Sequence, residues 1–213
     1  MSILVTAATA LELTPFLGKN KGVKTLITGV GTPNTMYHLA KEIFNHNYSF
    51  IIQVGIAGAF SASQSLGEAV IVEKDCFADI GVHEKKSLQN IFDMGLANPN
   101  TMPFNEGFLM NHGINKFNNS KIKVVNGITV NLISDNEVYL SQLQAKYRAD
   151  IESMEGAAFH YLCLKEEIPF IQIRGISNYV GERDKFNWKI KEAVDSSNSL
   201  VSDIIQIIQQ KSV

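Results

Sequence analysis

Cysteine, proline and tryptophan are scarce in this sequence of 213 residues, and neither sign of charge is in large excess. The two cysteines, Cys76 and Cys163, lie in unrelated segments without CxxC or Cys/His spacing, so the sequence predicts neither a disulfide framework nor a zinc site. We expect both to be buried free thiols. The net charge of −2, with no long run of either sign, offers no footprint for nucleic acid or an acidic membrane surface. A small-molecule substrate is the expected partner.

Long apolar runs are missing as well. No stretch reaches the ~20 apolar residues of a membrane span, and no basic flank precedes the apolar N-terminal segment. We therefore expect a soluble cytoplasmic protein. The five histidines share no triad or metal-ligand spacing, so the sequence calls for no metal and no cofactor.

What the chain does have is a regular alternation of apolar segments. With 45% apolar residues it can bury one substantial core, and we expect a single domain over residues 1–213. Runs bounded by turn residues predict buried strands at Ile3–Ala7, Val23–Thr28, Phe50–Val54, Ala69–Val72, Ile122–Val125 and Phe170–Ile173. Helical periodicity predicts helices at Asn34–Phe44, Glu137–Tyr147, Gly156–Lys165 and about Asn187–Gln209. This order indicates an α/β fold with a parallel or mixed sheet between helical layers.

One segment, Gly81–Gly113, breaks the alternation. It is rich in Gly, Asn, Pro and Met and carries only a weak helical pattern around Ser87–Phe92. Long irregular segments in compact domains are usually lids or binding loops. We expect this one to be a lid.

Ligands of open α/β sheets bind beyond the carboxyl ends of the strands, so polar residues that follow apolar runs are the site candidates. Glu12 follows the first strand, although a solvated helix turn would explain it equally well. The turn Gly29–Gly31 fits either a tight strand-to-helix connection or an anion site, and it is not a dinucleotide fingerprint. In Gly55–Gly58, missing side chains would let a ligand approach the backbone.

Two later segments add polar groups. Glu155 opens an apolar helix, where a carboxylate can also be simple helix stabilisation. Arg174, Ser177 and Asn178, followed by Gly181–Asp184, cluster beyond the most apolar strand, and this clustering favours a functional site.

Taken in order, five motifs resemble those of the purine nucleoside phosphorylase and nucleosidase superfamily over nearly the whole chain. They are Ala7–Glu12, Gly29–Gly31, Val54–Gly58, Met154–Ala158 and Arg174–Asn178. Glu12 after a short N-terminal segment resembles the hydrolase branch, which includes methylthioadenosine/S-adenosylhomocysteine nucleosidases and futalosine hydrolases. The stretch Ser177–Asp184 looks most like the futalosine hydrolases, enzymes of an alternative menaquinone pathway. The resemblance implies a three-layer α/β/α nucleoside phosphorylase-like fold with a central mixed, partly barrel-like sheet, and a homodimer whose subunits complete each other's pockets.

The resemblance also implies roles for the matching positions. Glu12 would deprotonate the attacking water, and Glu155 would bind the ribose hydroxyls above Met154. Ala57 and Gly58 would line the purine pocket with their backbone. Ser177 and Asn178 would contact the base, and we group Arg174 with the substrate-binding residues.

Position 178 indicates which base leaves. The adenine-releasing relatives carry an aspartic acid there, whereas the amide of Asn178 can donate hydrogen bonds to N7 or O6 but cannot act as a general acid. A 6-oxopurine suits it better, so the expected reaction is hydrolysis of futalosine to hypoxanthine and dehypoxanthine futalosine. Three alternatives stay open: a methylthioadenosine/S-adenosylhomocysteine nucleosidase, a phosphate-dependent phosphorylase, and a nucleoside-binding protein without turnover.

Overall fold

The computed structural model describes residues 2–17, 20, 22–84, 87–117 and 122–210. Five α-helices and ten strands occur in these ranges. In chain order they are β1 Ile3–Ala7, α1 Ala10–Leu17, β2 Lys24–Ile27, α2 Thr32–Asn45, β3 Phe50–Ala59, β4 Ala69–Asp75, β5 Gly81–Glu84, β6 Ser87–Asn90, β7 Leu109–Met110, β8 Lys123–Thr129, α3 Glu137–Tyr147, β9 Ile151–Ser153, α4 Gly156–Lys165, β10 Phe170–Tyr179 and α5 Ile190–Gln210.

The central sheet is mixed and partly closed. Its strands follow the order β10-β4-β8-β9-β3-β1-β2, and β3 also pairs with β10, so that five strands form a ring. Strand β10 is parallel to β3 and antiparallel to β4, and β9 is antiparallel to β3. Small and branched side chains fill the ring interior, among them Ala57, Val72 and Ile176, because so few strands leave little room. The predicted α/β fold with a mixed, partly barrel-like sheet is confirmed.

Helices cover both faces of this sheet. Helices α1 and α5 pack against each other and against β3 and β10, and their core includes Leu13, Phe16 and Ile204. On the other face α2 and α4 bury Leu39 and Phe159. Helix α5 buries an apolar stripe at helical spacing, as its sequence predicts. It begins at Ile190, three residues later than predicted, because residues 185–187 form a separate 3₁₀ turn.

The segment Gly81–Gly113 differs from its prediction. Strands β5 and β6 pair as an antiparallel hairpin in register Val82 with Gln89, so the weak helical pattern at Ser87–Phe92 is wrong. Leu88, Ile91 and Phe92 have helical spacing, but Ile91 and Phe92 lie in the turn after the strand. The pattern misleads because the strand is short and largely exposed, so no alternating buried face marks it.

Cys76 and Cys163 are free and buried, as expected, and burial raises the pKa of both thiols. Within the described ranges, no helix combines the length and apolarity needed to span a bilayer.

Candidate active site

A cavity of about 300 Å³ opens at the carboxyl ends of β1, β3 and β10, where α4 begins. This is the place where open α/β sheets bind ligands, and its volume suits a small organic molecule. Seven of the predicted site residues line it together: Glu12, Ala57, Gly58, Met154, Glu155, Ser177 and Asn178. The eighth, Arg174, lies beneath the wall.

Glu12 is held by three hydrogen-bond donors. Its Oε2 accepts from the backbone N–H of Thr9 at 2.9 Å and from the Thr9 hydroxyl at 2.8 Å, and its Oε1 accepts from the N–H of Ile56 at 3.0 Å. The side chain is 7% exposed and faces the cavity. A carboxylate oxygen has about two lone-pair sites, so Oε1 keeps one for a ligand or a water. Glu12 is therefore an oriented hydrogen-bond acceptor in the cavity. It lies in the first turn of α1 but is not a solvent-exposed side chain there.

Arg174 occupies the space behind this wall. It is 1% exposed, and its Nη2 donates to Oε1 of Gln53 at 2.9 Å. A Cβ at Gly55 would lie 2.4 Å from Nη1 of Arg174 and 2.8 Å from Oε1 of Glu12, so both groups require a glycine here. The structure therefore does not bring Arg174 to the cavity surface as a substrate-binding residue. Its guanidinium lies below the cavity, next to the carboxylates.

Glu155 stands at the start of α4 and receives a donor from each side. Its Oε1 accepts from the N–H of Gly31 at 3.0 Å, and its Oε2 lies 3.4 Å from Nη1 of Arg174 in a buried ion pair. The Gly29–Gly31 turn, with positive φ at both glycines, is thus a tight turn that also binds an anion. The anion is the chain's own Glu155.

Asn178 presents its amide to the cavity in a defined orientation. Its Nδ2 donates to the carbonyl of Tyr179 at 2.9 Å, and its Oδ1 accepts from the Ser177 hydroxyl at 2.8 Å. Because a backbone carbonyl only accepts, the NH₂ group must be the one that faces it. One N–H of Asn178 remains for a ligand on the side of Gly58. A Cβ added at Gly58 would lie 3.3 Å from Nδ2 of Asn178.

Several cavity residues were missed by sequence reasoning. Glu152 and Trp188 line the wall, as does Thr9, which holds Glu12. Glu152 lies three residues before Glu155, on a strand of three residues that is too short for a pattern to predict. The only signal for Trp188 was that it is the one tryptophan of the chain.

The cavity wall is strongly acidic. Four carboxylates, those of Glu12, Glu152, Glu155 and Glu182, line it together with one cation, Arg183. The pKa of Glu152 is raised to about 7, chiefly by burial and then by the Asp79 carboxylate, while Arg183 acts in the opposite direction. Across the described residues, no group of three or more His, Cys, Asp or Glu side chains is placed to hold a metal ion.

A buried polar cluster supports α4 from below. Oδ1 of Asp75 accepts from the Thr129 hydroxyl at 2.9 Å, and the Thr129 oxygen in turn accepts from the N–H of Ala157 at 2.7 Å. Burial raises the pKa of Asp75 to about 6 and lowers that of the neighbouring His160 to about 4. This cluster holds the first turn of α4, and with it the adjacent Glu155, at a fixed height above the sheet.

Comparisons with known proteins identify the family and the fold of this chain. The family model described as "Phosphorylase superfamily" matches residues 11–208. A futalosine hydrolase of Thermus thermophilus is 33% identical over 183 residues, which cover 84% of this chain and 79% of that protein. A mutant methylthioadenosine/S-adenosylhomocysteine nucleosidase of Helicobacter pylori, solved with 5′-methylthioadenosine in its active site, superposes with a TM-score of 0.79 at 15% identity over 96% of this chain and 98% of its own. A futalosine hydrolase structure from Helicobacter pylori gives a TM-score of 0.78 at 14% identity, covering 96% and 97% of the two chains.

The two structural likenesses concern the fold, and the family match extends over most of the chain. The chain belongs to the phosphorylase superfamily. Within it, the chain is an enzyme of the nucleosidase type, an N-glycosyl hydrolase.

Proposed function

We propose that this enzyme hydrolyses the N-glycosidic bond of futalosine and releases hypoxanthine, as a step of menaquinone biosynthesis in the cytoplasm. The orientation of Asn178 carries the proposal, because the carbonyl of Tyr179 forces the amide to offer an N–H to the cavity. That donor matches the O6 and N7 acceptors of a 6-oxopurine. The futalosine hydrolase of Thermus thermophilus supports the same substrate.

Glu12 is the proposed general base. Its carboxylate is oriented by Thr9 and Ile56 and keeps a free lone pair on Oε1, which can accept a proton from a water in the cavity. As the bond between C1′ of the sugar and N9 of the base lengthens, positive charge develops on the sugar, as in other glycoside hydrolyses. The acidic wall stabilises that charge, and the water attacks C1′ as its proton passes to Glu12. The base leaves with the electron pair of the C1′–N9 bond and takes up a proton from solvent.

Glu155 and Asn178 hold the two halves of the substrate. Glu155, fixed by Gly31 and Arg174, offers its remaining lone pairs to the ribose hydroxyls, with Met154 beside the sugar. Ala57 and Gly58 would supply the backbone next to the base. Asn178 would donate to the base as negative charge builds on it in the transition state.

The charge of the cavity argues against phosphorolysis. A phosphorylase must hold a phosphate dianion next to the sugar, and arginines do this best. Here four carboxylates and a single arginine line the cavity, and Arg174 is already engaged with Glu155 and Gln53. Water is neutral and can occupy this cavity without an electrostatic penalty.

The reaction is tested by incubation of the pure protein with futalosine, inosine and methylthioadenosine, each with and without phosphate, and by chromatography of the released base and sugar. We expect hypoxanthine from futalosine at a rate that does not depend on phosphate. Adenine release would point to the methylthioadenosine/S-adenosylhomocysteine nucleosidase reaction, and a strict need for phosphate to a phosphorylase. Binding without turnover would point to a nucleoside-binding protein.

The role of Glu12 is tested by Glu12→Gln. The amide keeps the size of the side chain and loses the basic oxygen, so kcat should fall by roughly 100- to 10,000-fold while substrate binding stays nearly unchanged. Glu166→Gln, an exposed position at the end of α4, is the matched control and should behave like wild type. Turnover by Glu12→Gln close to that of wild type would refute the role.

We also propose a homodimer of single-domain subunits. Leu11 and Val30 line the cavity and are nevertheless 62% and 49% exposed, and Tyr37 on α2 is 62% exposed. A second subunit over this mouth would bury these apolar side chains and close the site. Light scattering coupled to size-exclusion chromatography should give about 47 kDa, twice the 23.6 kDa of one chain; a mass of one chain would contradict the proposal.

A further inference from the structure

Glu152 lies in the cavity wall with a carboxyl group that the protein itself does not use. The side chain is 5% exposed and lines the cavity, and within the described residues no hydrogen bond or ion pair reaches its carboxyl. Its oxygens are not sealed inside the protein but open to the cavity, so a ligand can reach them. The open side of Glu152 therefore points to a ligand group that donates a hydrogen bond.

The sheet places this carboxyl opposite Asn178. Gly58 on β3 is paired with Glu152 on β9 and with Asn178 on β10, so the three residues form one row across three adjacent strands. Paired residues point to the same face of a sheet, and two strand spacings separate the outer two by roughly 10 Å between Cα atoms. Gly58 adds no side chain between them. A flat base lying over this glycine meets the N–H of Asn178 on one side and the carboxyl of Glu152 on the other.

We propose that Glu152 accepts a hydrogen bond from the N1–H group of a 6-oxopurine and so selects hypoxanthine over adenine. The inference rests on the proposed function, in which a purine base occupies this cavity. A 6-oxopurine carries a donor at N1 beside the acceptor O6, whereas N1 of adenine is an acceptor. An ionised carboxylate only accepts, so it binds the first base and repels the N1 lone pair of the second. A site discriminates strongly against an analogue when binding of that analogue leaves a buried polar group of the site unpaired.

Burial is the main cause of the raised pKa of Glu152, and three titratable or charged groups lie around it. Asp79, after β4, favours protonation, Arg183, after β10, favours ionisation, and the Tyr139 hydroxyl of α3 faces it as a neutral group whose own pKa is raised. With a pKa of about 7, Glu152 is ionised in mildly alkaline solution and protonated in mildly acidic solution. The protonated form presents an O–H that suits N1 of adenine. The preference for hypoxanthine should therefore weaken as the pH falls through about 7.

The test uses binding of the free bases, because Trp188 is the only tryptophan of the chain and lines the same cavity. Quenching of its fluorescence by hypoxanthine and by adenine gives two values of Kd without any turnover. For the wild-type protein the ratio of the adenine Kd to the hypoxanthine Kd should fall by roughly tenfold between about pH 8 and about pH 6. A ratio that stays constant over this range would overturn the proposal.

Glu152→Gln provides the second arm. The amide has both a donor and an acceptor, so it can bind either base, and the Kd ratio at about pH 8 should fall by roughly 10- to 100-fold and lose its dependence on pH. Glu166→Gln is again the control and should keep the wild-type ratio. If Glu152→Gln does not fold, the pH titration of the wild-type protein decides alone.

The two proposals fail in different ways. Turnover of futalosine by the wild-type protein, with a Kd ratio that Glu152→Gln leaves unchanged, would retain the proposed function and reject the role of Glu152. Discrimination that depends on Glu152, without any turnover of futalosine, would retain the base-reading role and reject the substrate.

Discussion

Arg174 forms a buried ion pair with Glu155, and its replacement by Met tests the charge balance beneath the site. The exchange removes the guanidinium and keeps most of the side-chain volume. In the native protein Nη1 faces Oε2 of Glu155 at 3.4 Å and Nη2 donates to buried Gln53 at 2.9 Å. After Arg174→Met, Glu155 stays in the wall without its counter-charge and Gln53 loses its donor.

The expected cost follows from these contacts. Removal of one partner of a buried ion pair costs about 3–5 kcal/mol, and an unsatisfied buried amide oxygen adds about 1 kcal/mol. Glu155 keeps its hydrogen bond from Gly31 and borders the cavity, so water can reach part of its charge. We therefore expect a loss of about 3–4 kcal/mol in the free energy of unfolding, together with a rise in KM, because Glu155 loses its orientation.

Urea denaturation, followed by circular dichroism and by Trp188 fluorescence, measures this loss, and a double-mutant cycle separates its causes. Glu155→Gln removes the uncompensated charge, so the double variant should lose about 1–3 kcal/mol less than the sum of the single variants. Arg148→Met, at an exposed arginine, is the control and should change stability by no more than about 0.5 kcal/mol. Additive losses within about 0.5 kcal/mol would refute a direct coupling between Arg174 and Glu155.

Two further exchanges test the base pocket and the support of α4. Asn178→Asp sets a carboxyl oxygen against the Tyr179 carbonyl, which the amide nitrogen meets at 2.9 Å. Repulsion should keep the new carboxyl protonated at higher pH than usual, and kcat/KM for futalosine at about pH 8 should fall by roughly 10- to 100-fold; unchanged kinetics would exclude base contact at this position. Asp75 has a folded pKa of about 6, above its unfolded value of 3.8, so its contribution to stability is complete below the unfolded pKa and is lost as the pH rises through 6. His160, with a folded pKa of about 4, loses its contribution as the pH falls from 6.5 toward 4, so the two opposed effects partly cancel in wild type. Asp75→Asn removes one of them, and the stability of the variant relative to wild type should rise by about 1–3 kcal/mol from about pH 4.5 to about pH 6.5 in urea titrations; parallel pH profiles would show that the pKa of Asp75 is not raised in the folded protein.

Much of the site could be predicted because its residues follow strands whose carboxyl ends meet. Glu12, Glu155 and Asn178 are far apart in sequence and lie around one cavity, as the order of apolar runs indicates. The sequence predicts that the strand ends at Val54, before Gly55–Gly58, whereas β3 continues through Ala59. The small residues there make room for a ligand beside a continuing strand. A local sequence pattern does not distinguish such glycines from glycines that end a strand.

The rest could not be predicted because it depends on contacts between distant strands. The pairing of β3 with β10 closes the ring and aligns a row of residues across it. Both depend on the register of the two strands. Arg174 ends an apolar run like the ligand-contacting residues, but the space over Gly55 directs its guanidinium beneath the wall. Nothing in the sequence around Arg174 distinguishes these two positions.

The charge of the cavity connects the reaction with the recognition of the base. Glu12, Glu155 and Glu152 line one cavity, and Arg174, hydrogen-bonded to Glu155, is a cation beneath its wall. Such a field favours a sugar on which positive charge develops and disfavours a bound phosphate, so it supports hydrolysis over phosphorolysis. Burial in this wall raises the pKa of Glu152, and the Asp79 carboxylate raises it further. Because burial in the wall of the catalytic cavity raises the pKa of Glu152 to about 7, pH should shift base selectivity and turnover together.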